Sequence, residues 1–566
     1  MEATICRYRT TTLAALVAAV AMALTVGSAQ AANQSEERKN MNRLGHTDLQ
    51  GRPSYQPNVI QYPDGRYIAF VGMHSGVPVA NPACASFLPN PLNGNACENN
   101  GTMIIDVTDP KKPVEKFLIP APTGGQAQMV RMCLGSDLPQ GTADHVYLLR
   151  NVQGGASAGY QVWDVTDVNL PVLKSSIALR STHKDWWECN TGIAYLVGSK
   201  PAPAPLWRQA QSMVIVDWSN PNAAPVYLRT FGLPGAQPTA TGPVPPSLHG
   251  PISAHEHPTP AAALARAATA DDVIGNRVYL AYGVGDDGVM QILDRKKLLP
   301  PLSGGRGGIW AGDPDNPSDA DLLSAQAGIL WMSPDQGGHT SMPVFGMKPP
   351  SLTNFNEFTT RDIVLLASEA TADGVGGKCN EPPHWSFIVD VTVENSKTCP
   401  PGTRPFPDVP GAHCPSAGPV ETNPWQGPMV LSTMSVDERA GAKFKRGNYC
   451  GRGARFGVHS SEENFNNPYY GKLTAIAYFN GGVRIWDIRE PQAPFEVAFY
   501  VPEANANTDP DGYMTNNVEI DDRGFIYIVD RNGAGLDILE LTGCAKDIDK
   551  GKSCKDLDND NAPPKK

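Results

Sequence analysis

The chain is poor in charge and in histidine, and it lacks the short motifs that announce most enzyme classes. Only 18% of its 566 residues are charged, and only 11 are histidine. The formal charge of −11 carries no basic stripe, so nucleic-acid and anionic-membrane partners are disfavoured. No Cys-x-x-Cys occurs, which removes a thiol redox site and a zinc-thiolate site. There is no GxSxG, Walker loop or strand–helix GxGxxG, so no motif supports a serine nucleophile or a nucleotide cradle. Beyond residue 31 no apolar run is long enough to span a bilayer.

What is abundant points to β structure. The 55 glycines, 52 prolines and 41% hydrophobic content suit a turn-rich, all-β chain with a large core. Residues 1–31 read as a secretory signal: Arg7 and Arg9 are the positive flank, residues 13–26 are apolar, and Ala29-Gln30-Ala31 is a small-x-small cleavage site. The expected location is therefore secreted or periplasmic, with no membrane insertion after cleavage. Cys6 leaves with the signal. Ten cysteines remain in a compartment where disulfides persist. The simplest pairs are Cys84–Cys97, Cys399–Cys414 and Cys544–Cys554 within loops, with Cys133–Cys189 and Cys379–Cys450 joining neighbouring repeats. Spacing alone leaves other connectivities open.

Seven stretches are copies of one another. Met103-Ile104-Ile105-Asp106 is the first, followed by Gln161-Val162-Trp163-Asp164, Val214-Ile215-Val216-Asp217 and Gln291-Ile292-Leu293-Asp294. Phe387-Ile388-Val389-Asp390, Arg484-Ile485-Trp486-Asp487 and Asp537-Ile538-Leu539-Glu540 complete the set. The closing acids lie about 53 to 97 residues apart, which marks a repeat architecture. An apolar strand precedes each motif and another follows it. Each repeat therefore reads as four strands, and seven such repeats fit a β-propeller, whose radial closure protects sheet edges. The last repeat lacks a fourth strand after Leu541. The segment near Asn42 to Leu49 is expected to supply it. The expected architecture is an all-β, seven-bladed propeller of four-stranded antiparallel blades with long loop insertions, one domain over 40–543. Residues 544–566 are expected to be a disordered tail. The closing acids themselves read as turn formers rather than catalysts.

The repeated apolar run ending in Asp resembles the LVIVD-repeat family of exported bacterial seven-bladed propellers, Val214-Ile215-Val216-Asp217 being close to the namesake string. That likeness implies architecture and leaves function open.

In a propeller the first strand of each repeat lines the central channel. His183, His249, His339 and His459 fall in corresponding first strands of the third to sixth repeats, a pattern expected to point imidazoles at one axis. Neutral imidazoles suit a transition metal such as Cu, Fe or Zn. The arrangement is similar to the His-lined axes of carotenoid-cleaving oxygenases and of the selenium-binding-protein family, an analogy only. Glu188 and Glu463 are candidate general bases. His74, Arg131, Trp187 and Arg455 are candidate substrate-binding groups. Histidines that merely hydrogen-bond between blades are the competing reading.

Two classes of function follow. One is an exported metal-dependent enzyme acting on a small molecule in the channel, with oxidoreductase chemistry first and metal-assisted hydrolysis or lyase chemistry second. The other is a binding scaffold whose insertions recognise a protein or polysaccharide.

Overall fold

The computed structural model of the protein describes residues 36–84, 86–257, 274–284, 287–351, 360–369, 384–392, 394, 427–436, 449, 455–550 and 554. The expected signal, the Cys399–Cys414 and Cys379–Cys450 pairs, and the tail from 555 onward lie outside the described residues.

Valine, isoleucine, leucine and aromatic runs form strands because their branched or flat side chains fill a pleated, buried surface. Four antiparallel strands make blade one: Ser54–Gln61, Tyr67–Met73, Thr102–Asp106 and Val114–Ile119. Blades two to five repeat that order with innermost strands Val130–Leu134, Asp185–Trp187, Leu248–Ser253 and Gly338–Met347. The innermost strands of blades six and seven are Phe456–Ser461 and Thr515–Ile520. Each innermost strand packs beside the next, and the seventh packs beside the first. Among the described residues the sheets form a closed ring of seven blades.

Closure uses the chain's beginning. Met41–Thr47 pairs with Leu536–Leu541, placing Met41 opposite Leu541 and Thr47 opposite Leu536. It is the fourth strand of blade seven, as expected from residues near Asn42 to Leu49. Just before it, Glu37–Lys39 pairs with the outer strand of blade six, Phe495–Val501. One short segment thus straps two blades together.

The blades also share a defect. The register between the third and fourth strands shifts at the same point of each motif, between Ile104 and Ile105, Val162 and Trp163, Ile215 and Val216. The same shift recurs between Ile292 and Leu293, Ile388 and Val389, and Ile485 and Trp486. Blade seven carries it between Arg43 and Gly45 of the borrowed strand. A bulge increases local twist. Its presence in a strand from the opposite end of the chain shows that this strand is a true blade member.

The closing acids act as turn formers. Asp106, Asp164, Asp217, Asp390 and Asp487 each accept a hydrogen bond from the backbone N–H two residues on, at 2.9 to 3.1 Å. Asp294 instead caps a short helix through Lys297 N–H.

Three disulfides form as expected: Cys84–Cys97, Cys133–Cys189 and Cys544–Cys554. The expected coreless stretch begins later than residue 544. Gly543–Lys546 is a short helix, and Ala545 and Ile548 are buried with the apolar residues of blades six and seven. Among the described residues no helix is long and apolar enough to cross a membrane.

Candidate metal centre

The innermost strands carry a second set of bulges, and these aim the side chains of interest. In blade four Leu248 pairs with Tyr282 and Gly250 with Ala281, which leaves His249 as the extra residue. In blade five Gly338 pairs with Ser368 and Thr340 with Ala367, leaving His339. Blade one leaves out Tyr55 in the same way, between Ser54 and Gln56. In blade six the shift spans Phe456 to Ser460 and contains His459. His183 lies two residues before the short innermost strand of blade three. A bulge re-aims a side chain that a regular strand would alternate away. Here it sets Tyr55, His249 and His339 apart as the unpaired residues of blades one, four and five.

The result is a chain of imidazoles. Ring centroids are 4.4 Å apart for His183 and His249, 4.0 Å for His249 and His339, and 4.3 Å for His339 and His459. Tyr55 completes the circle, its ring 5.7 Å from His183 and 5.5 Å from His459. Its hydroxyl lies 3.4 Å from His339 Nε2. The other ring nitrogens are anchored: His339 Nδ1 lies 2.7 Å from Thr340 Oγ1, His459 Nδ1 2.6 Å from the Asn516 carbonyl, and His249 Nδ1 3.3 Å from the His339 carbonyl. His183 Nδ1 and His459 Nε2 are buried without a hydrogen-bond partner.

A second circle comes from the residue that follows the second strand of a blade. In blades one, five and seven these are His74, Glu369 and Arg531. Glu369 faces three groups: Arg455 Nη1 at 3.0 Å, His459 Nε2 at 3.6 Å and His249 Nε2 at 3.9 Å. Arg531 reaches His74 Nε2 at 2.8 Å. Donor atoms of His249, His339 and Glu369 lie within 4.8 Å of one another, and all three residues are buried.

Burial keeps these imidazoles neutral. It holds His183 and His74 at about 3, helped by Lys184 and Arg531 respectively. It holds His249, His339 and His459 well below the ordinary histidine value, with neighbouring imidazoles and cations adding to the effect. Burial raises the Glu369 carboxyl although Arg455 opposes the shift. Neutral imidazole beside a carboxylate is a nitrogen–oxygen donor set of the kind that transition metals take.

The other expected site residues fall elsewhere. Glu188 is fully buried and held by Arg295 through bonds of 2.7 and 2.9 Å, with Tyr195, Ser253 and Thr191 donating to it at 2.6 to 2.8 Å. Ser253 lies four residues beyond His249 on a strand rising about 3.3 Å per residue, toward the other end of the channel. Burial opposes ionisation, yet Arg295 and the hydrogen bonds hold Glu188 at about 2. A permanently ionised, fully satisfied carboxylate is a poor proton acceptor. Glu463 is clamped between Lys184 and Arg131, and Lys184 also donates to Thr340 Oγ1 at 3.1 Å. Those two cations hold its carboxyl below the usual range against the effect of burial. The Arg131 guanidinium lies 4.5 Å from the Trp186 ring centroid. Trp187 packs among Cys133, Leu138 and Val216. Arg131, Trp187 and Glu463 border a cavity of about 450 Å³, lined also by His257, toward the other end of the channel from the four axial histidines. Of the expected substrate-binding residues, His74 and Arg455 stand beside the histidine cluster; Arg131 and Trp187 do not.

Tyr55, Glu369 and Arg531 were not expected from the sequence. The usable signal was positional: aligning the repeats on the residue after the second apolar strand brings His74, Glu369 and Arg531 together.

Fold and site define a seven-bladed β-propeller with an axial histidine–carboxylate cluster. The LVIVD repeat model matches residues 96–119, which hold the first acid-ended motif and the strand after it. Among solved structures, the C-terminal WD40 domain of Sif2 is similar at 7% identity, over 89% of this chain and 99% of that one, with a TM-score of 0.39. The Dos1 propeller is similar at 8% identity, over 89% and 96%, with a TM-score of 0.40. Domains 1–2 of Drosophila Semaphorin 1a are similar at 10% identity, over 87% and 86%, with a TM-score of 0.41. No curated protein matches the chain.

Proposed function

We propose that the chain is an exported metal-dependent enzyme, an oxidoreductase by first choice, acting on a small molecule at the histidine end of its channel. The observation that carries this reading is the buried convergence of His249, His339 and Glu369 within 4.8 Å. The residues fit a transition metal on two further counts. The imidazoles are neutral, and His459 Nε2 and His183 Nδ1 are buried polar atoms without a hydrogen-bond partner, a state that native interiors seldom tolerate without a ligand or ion. His249, His339 and Glu369 would hold the metal, with His183 and His459 flanking it. A bound Cu or Fe would supply one-electron or oxygen chemistry there, and Zn would supply Lewis acidity.

The protein's own groups take the remaining tasks. Tyr55 presents its hydroxyl beside His339, and burial keeps that phenol protonated. It can therefore donate a proton or hydrogen bond to a substrate. Arg455 orients Glu369, and Arg531 orients His74. Three disulfides accord with an oxidising, extracytoplasmic compartment.

Metal analysis of untagged protein tests the reading. About one transition metal per chain is expected, with loss in His249→Ala and His339→Ala while the circular dichroism spectrum is kept. Protein that stays metal-free after reconstitution with Cu, Fe and Zn overturns it and favours a binding scaffold.

A further inference from the structure

The mouth at the other end of the channel from the four axial histidines has more buried carboxyl groups than cations. Arg131 and Lys184 are both engaged by Glu463. Glu462, Asp185 and Glu519 remain, and each is at most 2% exposed. Asp185 has no hydrogen-bond partner on either oxygen, and its near cation, Arg131 Nε, is 3.8 Å away. Glu519 Oε1 accepts a bond from Asn58 at 3.3 Å, while Oε2 is buried and has no partner. Glu519 lines the 450 Å³ cavity, a volume in the usual range for small-molecule sites.

An unpaired buried carboxyl oxygen on a residue that lines a cavity is costly unless something satisfies it. Burial answers part of the cost by favouring the protonated form: Glu519 is pushed well above the usual carboxylate range and Glu462 to about 8. A cation entering the cavity would displace such a proton. A bare metal ion is a poor candidate. Among the described residues the one group of three His, Cys, Asp or Glu ligand atoms within 4.8 Å is at the other end. The walls argue for a larger occupant. Tyr67, Trp186 and Phe465 line the cavity, with Glu256 and Asp522 adding acidic groups; Arg523 already stacks on Tyr67 and Arg131 on Trp186, so the rings offer apolar walls and the charge is left to the carboxyls. The indole N–H groups of Trp186 and Trp187 are buried without partners.

We infer that this mouth is a second binding site, for a small organic monocation: a primary ammonium set on Glu519, with an aromatic or apolar body against Tyr67, Trp186 and Phe465. It is independent of any metal at the histidine cluster.

Isothermal titration of the full chain with three probes of similar shape tests it. Benzylamine, benzyl alcohol and benzoate differ mainly in charge. Benzylamine is expected to bind, benzoate not at all, and benzyl alcohol about tenfold or more weakly than benzylamine, as suits a desolvated charge contact. Glu519→Gln, of nearly the same shape, should weaken benzylamine by a similar factor and leave benzyl alcohol unchanged. Equal binding of amine and alcohol overturns the inference and needs no variant. So does the absence of benzylamine binding up to roughly 10 mM, below the weak end of specific recognition, or full-strength binding in a folded Glu519→Gln protein.

Discussion

Arg455 donates to Glu369 Oε1 at 3.0 Å, while Oε2 of the same carboxylate faces His249 Nε2 at 3.9 Å. Oε1 is thereby held in place, 3.6 Å from His459 Nε2, so each carboxylate oxygen faces one imidazole. Glu369→Gln keeps the shape and removes the charge. Its metal affinity, read by competition with a chromogenic chelator, is expected to fall about 10- to 100-fold or more, the range seen when a carboxylate supporting a metal site is lost.

Glu188 and Arg295 form a buried pair remote from the histidines. Arg295→Ala leaves an unpaired charge in the interior. It should destabilise the protein by about 3–5 kcal/mol in chemical denaturation. Metal content of the folded fraction should be unchanged, which separates this pair from the metal centre.

His46 sits 2.8 Å from Asp537, across the joint where the borrowed strand closes the ring. Burial lowers the imidazole pKa, but the Asp537 carboxylate overrides it and the net shift is upward. A raised histidine stabilises the fold fully below its unfolded value of about 6.5. That stability is lost as pH rises through the higher folded value. His46→Gln should therefore lower Tm most at about pH 6, and the deficit should shrink by pH 8. Paired melting curves at the two pH values check it, and an equal deficit at both would refute it.

Cys133 and Cys189 link the innermost strand of blade two to the end of that of blade three, closing 56 residues. Cys133→Ser with Cys189→Ser should cost about 2–4 kcal/mol of stability. The Cys84–Cys97 bridge closes only 13 residues, so its removal should cost less, by roughly 1 kcal/mol from chain entropy alone. Denaturation midpoints of the two double variants provide the comparison.

The repeat, the closing strand and the axial histidines were legible because each is a periodic signal. An acid after an apolar run recurs at the same blade position, and it places the innermost strands by register. Glu369 and Arg531 escaped because each is a single residue just past a strand end, and only alignment of the repeats on that position brings them together with His74. Tyr55 sits in a strand that reads as regular until its pairing shows the bulge. Glu188 and Glu463 misled for a different reason. Both follow a histidine closely in sequence, but the strands run along the channel. Each is also taken up by cations: Arg295 holds Glu188, and Lys184 with Arg131 holds Glu463, Lys184 reaching Thr340 beside His339 as well.

The strap formed by Glu37–Lys39 and Met41–Thr47 also sets an order of events. Its partners, Phe495–Val501 and Leu536–Leu541, are nearly the last part of the blades to be synthesised. A contact between the two ends of a chain is the slowest kind to form. The ring stays open until Leu541 has emerged, and six blades can hold all four of their strands while the seventh still lacks its own. A chain cut short before residue 536 leaves Met41–Thr47 as an unpaired edge, so early termination exposes a strand at the opposite terminus rather than near the break.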